Sequence, residues 1–367
     1  MSRRVWATVD LSALRENIGV AREAAPRSRV MAVVKSDAYG HGLVPAASEL
    51  ATGTDAFAVT SIEEAAVLRD AGFRQRIVLL QGPFVTGDLE TAAVLRLEPV
   101  LHTEWQVEAL SRAELSVPVT AWIKVDTGMH RLGFHPGAVP EVWRRLSGAP
   151  SVEAEIGFMT HLACADDRGD ETTRRQLDLF DQACAGLPGP RSAANSAGVL
   201  GWPASHLDWV RPGIMLYGAS PFVDGGGGHA PLSPAMTLEG RLIAINRYDA
   251  GDPVGYGASW RCPEPMPVGV VSVGYGDGYP RHAPSGTPVL VGGQRTGLVG
   301  RVSMDMVCVD CRGLDGVVVG APATLWGAGL PAEEVAGAAG TISYELFCRT
   351  TPRARRRYVG AAQPEVT

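Results

Sequence analysis

The stretch VMAVVK (residues 30–35) is a short, β-branched apolar run that ends in a lysine. Seven further short runs follow it: AFAVTS (56–61), IVLLQG (77–82), EPVLH (98–102), VTAWIKVD (119–126), AEIGFMTH (154–161), SAANS (192–196) and DWVRPGIMLYG (208–218). Continuous apolar character of this kind is typical of strands that are buried on both faces of a parallel sheet. The first two-thirds of the sequence therefore predict eight parallel strands.

Amphipathic segments lie between most of these runs and predict the helices that would cover the sheet. The clearest are SIEEAAVLRDAG (61–72) and TEWQVEALSRAEL (103–115), each of which opens with a Ser or Thr as the expected N-cap. The segment 10–25 has apolar residues at helical spacing before the first run. Eight strand–helix repeats in about 230 residues favour a TIM-type (β/α)₈ barrel over a doubly wound sheet.

The character of the sequence changes near residue 220. The segment SPFVDGGGGHAPLSP (220–234) predicts a linker, and its four glycines at 225–228 lack the Gly-Lys-Ser/Thr of a phosphate loop. Beyond it, short β-rich runs separated by turns end in two helix-like segments, PAEEVAGAAG (331–340) and TISYELFCR (341–349). We therefore expect an α/β chain with a barrel over residues 1–232 and a mostly-β domain over residues 233–367.

Composition and charge exclude several classes of function. The net charge of −6 disfavours a nucleic-acid partner, because phosphates demand a basic surface. No apolar run approaches the roughly 20 residues of a membrane helix and no signal-like segment is visible, so we expect no membrane partner and a cytoplasmic location. Cys308 and Cys311 form a C-x-x-C without a second ligand pair, so no metal site is expected. A basic cluster predicts a solvated face near the C-terminus: Arg353, Arg355, Arg356 and Arg357.

In a (β/α)₈ barrel the chemistry lies where the strands end. This rule selects Lys35, His102, Lys124, His161, Asn195, Ser196 and Arg211. Desolvation would lower the pKa of the Lys35 amine and make it a nucleophile for carbonyl chemistry. Lys124 and Arg131 would suit an anionic ligand, and the loops after strands seven and eight, which include Gly213 and Ile214, commonly bind phosphate in this fold. These residues indicate either a pyridoxal-phosphate enzyme or an aldolase acting on a sugar phosphate.

Nine motifs, in order along nearly the whole chain, resemble those of the bacterial alanine racemases. They are AVVKSDAYGHG (32–42), KVDTGMHRLG (124–133), MTHLACAD (159–166), NSAG (195–198), RPGIMLYG (211–218), VGYGASW (254–260), GYGDGY (274–279), GRVSMDM (300–306) and TISYE (341–345). Single motifs such as GYGDGY are weak, but nine in register are highly specific. The resemblance implies a barrel that binds pyridoxal 5'-phosphate and a β domain, assembled as a homodimer with shared active sites.

The resemblance also implies a reaction and the residues that carry it. The reaction would interconvert L- and D-alanine by two-base proton transfer on the external aldimine of the cofactor, and would supply D-alanine for peptidoglycan. Lys35 would bind the cofactor and act as one base, and Tyr256 would act as the second base in the partner subunit's site. The other implied cofactor-binding residues are Tyr39, His161, Asn195, Ser196, Arg211, Gly213, Ile214 and Tyr344. The implied substrate-side residues are Arg131, Met304, Tyr275 and Asp305, and Lys124 matches a position that is often carbamylated in the family.

Three other functions stay open at this point. A serine or broad-specificity racemase would share every cofactor residue and differ in pocket size, although Tyr344 and Tyr275 would narrow the entrance and favour alanine. A pyridoxal-phosphate decarboxylase can have a similar architecture, but the motif around Tyr256 argues against it. A non-catalytic cofactor-binding protein can be a barrel alone, so a β domain that carries Tyr256 and Met304 favours catalysis.

Overall fold

The computed structural model describes residues 5–223 and 231–361, and its larger unit is a closed barrel of eight parallel strands. The barrel strands are Arg29–Val33, Ala56–Val59, Arg76–Leu79, Leu97–Leu101, Val119–Lys124, Val152–Met159, Arg191–Ser192 and Trp209–Val210. Each overlaps one of the eight apolar runs, so the predicted barrel is confirmed and the doubly wound sheet is excluded. The four glycines of the predicted linker lie outside the described residues.

Helices alternate with the barrel strands, as the amphipathic segments predict. The α-helices of the described residues are Leu11–Ala24, Leu43–Leu50, Ile62–Asp70, Gly87–Val94, Glu104–Arg112, Val139–Ser147, Thr172–Ala183, Ser196–Gly201, Ala332–Ala339 and Ser343–Cys348. Ser61 is an N-cap as predicted, because its side chain accepts a hydrogen bond from the Glu64 N–H. Thr103 also occupies the N-cap position, as predicted, but its side chain makes no capping hydrogen bond. The side chain of Gln106 acts there instead and accepts from the His102 N–H at 2.8 Å.

No helix within residues 5–223 and 231–361 is long and apolar enough to cross a membrane.

A polar layer fills the amino-terminal half of the barrel. The rings of Trp122 and Trp209 meet edge to face with their centroids 6.2 Å apart. The indole N–H of Trp122 donates to the Glu98 carboxylate at 2.8 Å, and Arg76 Nη2 donates to the same carboxylate at 3.0 Å. A buried carboxylate is tolerated where it is paired and hydrogen-bonded in this way.

The second unit is a sheet of eight strands that includes one strand from the beginning of the chain. In spatial order its strands are Met266–Val271, Val307–Asp310, Gln294–Val299, Pro288–Val291, Pro322–Trp326, Met236–Tyr248, Trp6–Asp10 and Arg355–Val359. Met266–Val271 also pairs with Met236–Tyr248, so six of the strands close on themselves. Trp6–Asp10 buries Ala7 and Val9 in this sheet, although the division at residue 232 puts it with the barrel. The division itself stays a prediction.

Candidate active site

A cavity of about 680 Å³ opens at the carboxyl ends of the barrel strands. Eleven of the residues selected from the sequence line it: Lys35, Tyr39, Lys124, Arg131, His161, Asn195, Ser196, Arg211, Gly213, Ile214 and Tyr344. Among the described residues that line it, four are Lys or Arg and none is Asp or Glu. The cavity therefore has a positive potential that suits an anionic ligand.

The turn after the first barrel strand has a backbone that is rare in chains of L-amino acids. Residues 36–39, none of them glycine, have φ between 52° and 55° and form a left-handed turn. Such backbone costs roughly 1–2 kcal/mol per residue, so surrounding contacts must hold it. The turn brings Lys35 and Tyr39 to the same cavity. The helix Leu43–Leu50 follows this turn.

The environment of Lys35 favours its neutral amine. Burial lowers the pKa of Lys35 below its usual range, and the nearby charge of Arg131 lowers it further, against smaller opposing effects of Cys348 and Glu64. The neutral amine is the nucleophilic form of lysine. A larger fraction of the Lys35 amine is therefore neutral at a given pH than in an exposed lysine.

Arg211 is buried at the cavity wall, and its guanidinium is held by three neighbours. Its Nη1 donates to Ser192 Oγ at 2.6 Å, and its Nη2 donates to the carbonyl oxygens of Thr160 at 2.7 Å and Ala193 at 3.1 Å. Burial lowers the pKa of Arg211 to about 10, so the side chain is still a cation near neutral pH. Arg211 Nη2 also lies 3.5 Å from Nδ1 of His161. Burial first, and then the basic side chains nearby, keep the pKa of His161 well below its usual range, so the imidazole is neutral.

Ser196 and the loop after the eighth strand form a corner of hydroxyl and backbone N–H groups. Ser196 Oγ accepts from the N–H of Gly213 at 2.8 Å and from that of Met215 at 3.4 Å. A Cβ at Gly213 would lie 2.7 Å from the hydroxyl oxygen of Tyr39, so the glycine lets the tyrosine approach the backbone. Ile214, which also lines the cavity, begins the 3₁₀ helix Ile214–Tyr217. Groups of this kind suit a phosphate.

Two further lining residues flank this corner. Asn195 Oδ1 accepts from the Gly198 N–H at 3.0 Å and so caps the helix that begins at Ser196, which fixes the position of the serine hydroxyl. The rings of Tyr39 and Tyr344 lie with their centroids 5.9 Å apart. Burial raises the pKa of both tyrosines, so their hydroxyls stay protonated and can donate.

Lys124 ends the fifth barrel strand and carries the second amine of the cavity. Burial lowers the pKa of Lys124 well below its usual range, and the cations Arg211 and Arg131 lower it further, while Asp126 opposes them. At a given pH, a larger fraction of this amine is therefore neutral than in an exposed lysine. The full sequence contains two lysines, and both line this cavity.

Of the five site residues predicted in the second domain, Tyr344 lines the cavity, and the other four are not among the described residues that line it. Tyr256 lies between two short strands, Pro253–Val254 and Trp260–Arg261, and is 66% exposed. Tyr275, Met304 and Asp305 lie close to one another. The Gly276 N–H donates to the Met304 carbonyl at 2.9 Å, and the Tyr275 N–H donates to the Ser303 carbonyl at 3.0 Å. Asp305 pairs with Arg353.

The structure adds cavity residues that the sequence reasoning missed. They include Ser36, Thr60, Gln81, Leu132 and Cys348. Thr60 and Gln81 stand near the ends of the second and third apolar runs, so the strand-end rule could have selected them. Cys348 comes from the last α-helix, Ser343–Cys348, and no local signal predicts that this helix reaches the barrel mouth.

Comparison with known proteins adds independent findings. Residues 9–221 match the model of the alanine racemase N-terminal domain, and residues 235–358 match that of the C-terminal domain. The alanine racemase of Halorhodospira halophila is 67% identical over 359 residues, which are 98% of this chain and 99% of that protein. The biosynthetic alanine racemase structure from Pseudomonas aeruginosa has a TM-score of 0.95 at 47% identity and covers 97% of this chain and 99% of its own. The Bartonella henselae alanine racemase structure, which is described as having covalently bound pyridoxal phosphate, has a TM-score of 0.88 at 30% identity, with 97% and 99% covered.

The fold and the cavity define a barrel enzyme with a partly buried lysine of lowered pKa at the barrel mouth. The chain belongs to the alanine racemase family. The family, the isomerase class and the alanine racemase activity predicted from the nine motifs are thereby confirmed.

Proposed function

We propose that this protein interconverts L- and D-alanine with pyridoxal 5'-phosphate as its cofactor. The observation that carries the proposal is Lys35, a buried amine of lowered pKa in a cavity rich in cations. Such an amine can bind the aldehyde carbon of the cofactor, while the corner around Ser196 suits its phosphate. The alanine racemase relatives support the same assignment, and one of them is described with this cofactor.

The residues of the cavity fit the cofactor at both of its ends. The proposed phosphate donors are hydroxyl and backbone N–H groups: Tyr39, Ser196, Gly213, Ile214 and Tyr344. Arg211 would face the ring nitrogen and donate to it, since a guanidinium keeps its protons, and the neutral His161 would lie beside the ring. When bound, the cofactor withdraws electrons from the substrate Cα, which makes the Cα proton removable.

Racemisation needs a base on each face of Cα, because the proton leaves one face and returns to the other. Lys35 would serve one face, where its lowered pKa favours the neutral, proton-accepting amine. The partner subunit's Tyr256 would serve the other face. In a single chain Tyr256 is 66% exposed, and an exposed aromatic side chain of this kind supports the proposal that a second subunit covers it. Acid–base groups contribute about 10²–10⁴-fold each, short of the roughly 10⁶-fold that enzymes need, so the cofactor is required as well.

The substrate side of the site would combine both subunits of a homodimer. Arg131 would contact the cofactor and the substrate from the barrel that carries Lys35. The partner subunit's Met304 would offer its backbone N–H to the alanine carboxylate, and the partner subunit's Tyr275 and Asp305 would line the entrance. The supply of D-alanine for peptidoglycan and the cytoplasmic location stay predictions.

The reaction is tested on purified protein in deuterated water with chiral product analysis. We expect each enantiomer of alanine to gain solvent deuterium at Cα and to yield the opposite enantiomer, faster than serine or lysine does. The matched control is Lys35→Ala. Release of carbon dioxide, exchange without inversion, or a preference for serine would each contradict the proposal and indicate one of the competing functions.

Lys124 is proposed to carry a carbamate that holds Arg131. Its neutral amine would add to the carbon of CO₂ and lose a proton, which leaves a carboxylate-like anion beside the guanidinium. We expect protein equilibrated with ¹³C-bicarbonate to give a carbamate ¹³C resonance that is lost in Lys124→Ala and kept in Lys35→Ala. Activity in CO₂-free buffer should fall by up to about 100-fold as Arg131 loses its position. A resonance that persists in Lys124→Ala would come from another amine and count against this role.

A further inference from the structure

The left-handed turn at residues 36–39 is contacted by the opposite end of the chain. The strand Arg355–Val359 pairs in parallel with Trp6–Asp10, and its Arg356 reaches the turn across a separation of 316 residues. The solvated face predicted for the basic cluster fits the exposed Arg355. Arg356 is also an exposed residue, but its side chain is 30% exposed and forms an ion pair with Asp37.

Arg356 holds the turn at two points. Its Nε donates to the Gly40 carbonyl oxygen at 2.8 Å, and its Nη2 lies 2.8 Å from Asp37 Oδ2 in an ion pair. The other carboxylate oxygen of Asp37 accepts from the Leu43 N–H at 2.7 Å, where the next helix begins. A planar guanidinium can satisfy two acceptors in fixed directions, so one side chain ties the turn at its start and at its end.

Other contacts confine the same turn and show why its geometry is over-determined. A Cβ at Gly40, where φ is 77°, would overlap the carbonyl oxygen of Phe347. On another side, the Ser36 N–H donates to the Glu64 carboxylate at 2.5 Å. A strained backbone persists only where its surroundings fix it. Among these contacts, the one made by Arg356 can be tested by removing its charge without creating a cavity in the core, because the side chain is partly exposed.

We infer that Arg356 is a positioning residue for the active site: it fixes the left-handed turn and thereby sets the places of Lys35 and Tyr39 in the cavity. The inference rests on the proposed function, in which these two residues hold the cofactor. Arg356 is not among the described residues that line the cavity, so it acts through the turn. Its loss lets Lys35 and Tyr39 sample more orientations, which weakens cofactor binding and slows turnover.

The test compares Arg356→Gln with Arg355→Gln. The control removes a neighbouring charge from the opposite face of the same strand, since successive side chains alternate. Hydrogen exchange of residues 35–42 is measured on protein stripped of cofactor. Cofactor affinity is measured by titration of the visible absorbance, and kcat and KM for alanine are measured at saturating cofactor. We expect Arg356→Gln to speed exchange in this segment and to weaken cofactor affinity by about tenfold each, with a lower kcat and an unchanged KM. Arg355→Gln should match the unsubstituted protein.

Two further variants make the assignment specific. Arg356→Lys keeps a positive charge for Asp37 but loses the second donor, which bonds the Gly40 carbonyl. Its hydrogen exchange and cofactor affinity should therefore lie between those of the unsubstituted protein and those of Arg356→Gln. The double variant Asp37→Asn, Arg356→Gln should lose less cofactor affinity than the sum of the free-energy losses of the two single variants. The reason is that each single substitution already removes the same ion pair. If Arg356→Gln does not fold, Arg356→Lys is compared with Arg355→Gln in the same measurements, and that comparison tests the inference.

Equal exchange in the Gln variants of Arg355 and Arg356 would overturn the inference, as would faster exchange spread evenly over the barrel. Failure of the unsubstituted protein to bind pyridoxal phosphate would instead refute the proposed function. The hydrogen-exchange measurement would still test whether Arg356 fixes the turn.

Discussion

Lys35→Ala is expected to abolish cofactor retention and to lower racemisation by at least about 10⁴-fold. The substitution removes the covalent attachment point and one of the two bases, and general acid–base groups alone contribute about 10²–10⁴-fold. Retention is measured by the visible absorbance of bound cofactor after gel filtration. Attachment is measured by borohydride reduction followed by intact mass, where the unsubstituted chain should gain one adduct and Lys35→Ala none.

The chain offers unusually direct controls for this experiment. Lys124 is the other lysine of the sequence, so Lys124→Ala should keep the adduct and Lys35→Ala should lose it. Lys35→Arg keeps a positive charge but cannot attack an aldehyde, and it should fail like Lys35→Ala. Racemisation that survives in Lys35→Ala, or an adduct that disappears in Lys124→Ala, would contradict the assignment of the nucleophile.

The lowered pKa of Lys35 gives the same experiment a pH dependence. The reactive form is the neutral amine, whose fraction rises as the pH passes upward through the pKa of the folded protein. Because burial and Arg131 lower this pKa, the rate of adduct formation should level off at a lower pH than for a free lysine side chain. A rate that keeps rising to the pH at which free lysine levels off would show that the amine is not desolvated.

Much of the barrel and most of its cavity could be predicted from local sequence. Most barrel strands lie in short apolar runs, although Arg191–Ser192 is polar, and the residues that end those runs meet because parallel strands finish at one rim. The lysine content adds a signal of the same local kind. Of 33 basic residues, all but Lys35 and Lys124 are arginine, and arginine can neither form a Schiff base nor take up CO₂ as a neutral amine.

Long-range features left no such signal. The alternation of Trp6–Asp10 suits any half-buried sheet, so nothing local indicates that this strand lies between Met236–Tyr248 and Arg355–Val359. The left-handed turn is built from ordinary residues at 36–39, and two of the contacts that hold it come from Arg356 and Phe347, more than 300 positions away. Handedness and strain of this kind are set by tertiary packing, which residue types alone do not report.

Tyr256→Phe is expected to keep the absorbance of bound cofactor and to lower racemisation by about 10²–10⁴-fold, the range for loss of one acid–base group. The two directions should respond differently, because each base serves one face of Cα. Proton removal from L-alanine should slow more than removal from D-alanine, as measured by the initial gain of deuterium at Cα from each enantiomer. Equal slowing from both enantiomers would point to a structural effect instead of the loss of one base.

A mixture of Lys35→Ala and Tyr256→Phe chains decides whether the site is shared between subunits. In a mixed dimer with shared sites, one site receives both defects and the other receives an intact Lys35 and the partner subunit's Tyr256. Random reassociation makes half of the dimers mixed, so about one-quarter of the original activity should return. If Tyr256 served its own subunit, every site in the mixture would carry a defect and no activity would return. Mixed dimers verified by native mass spectrometry that stay inactive would therefore leave the 66% exposure of Tyr256 without a catalytic explanation.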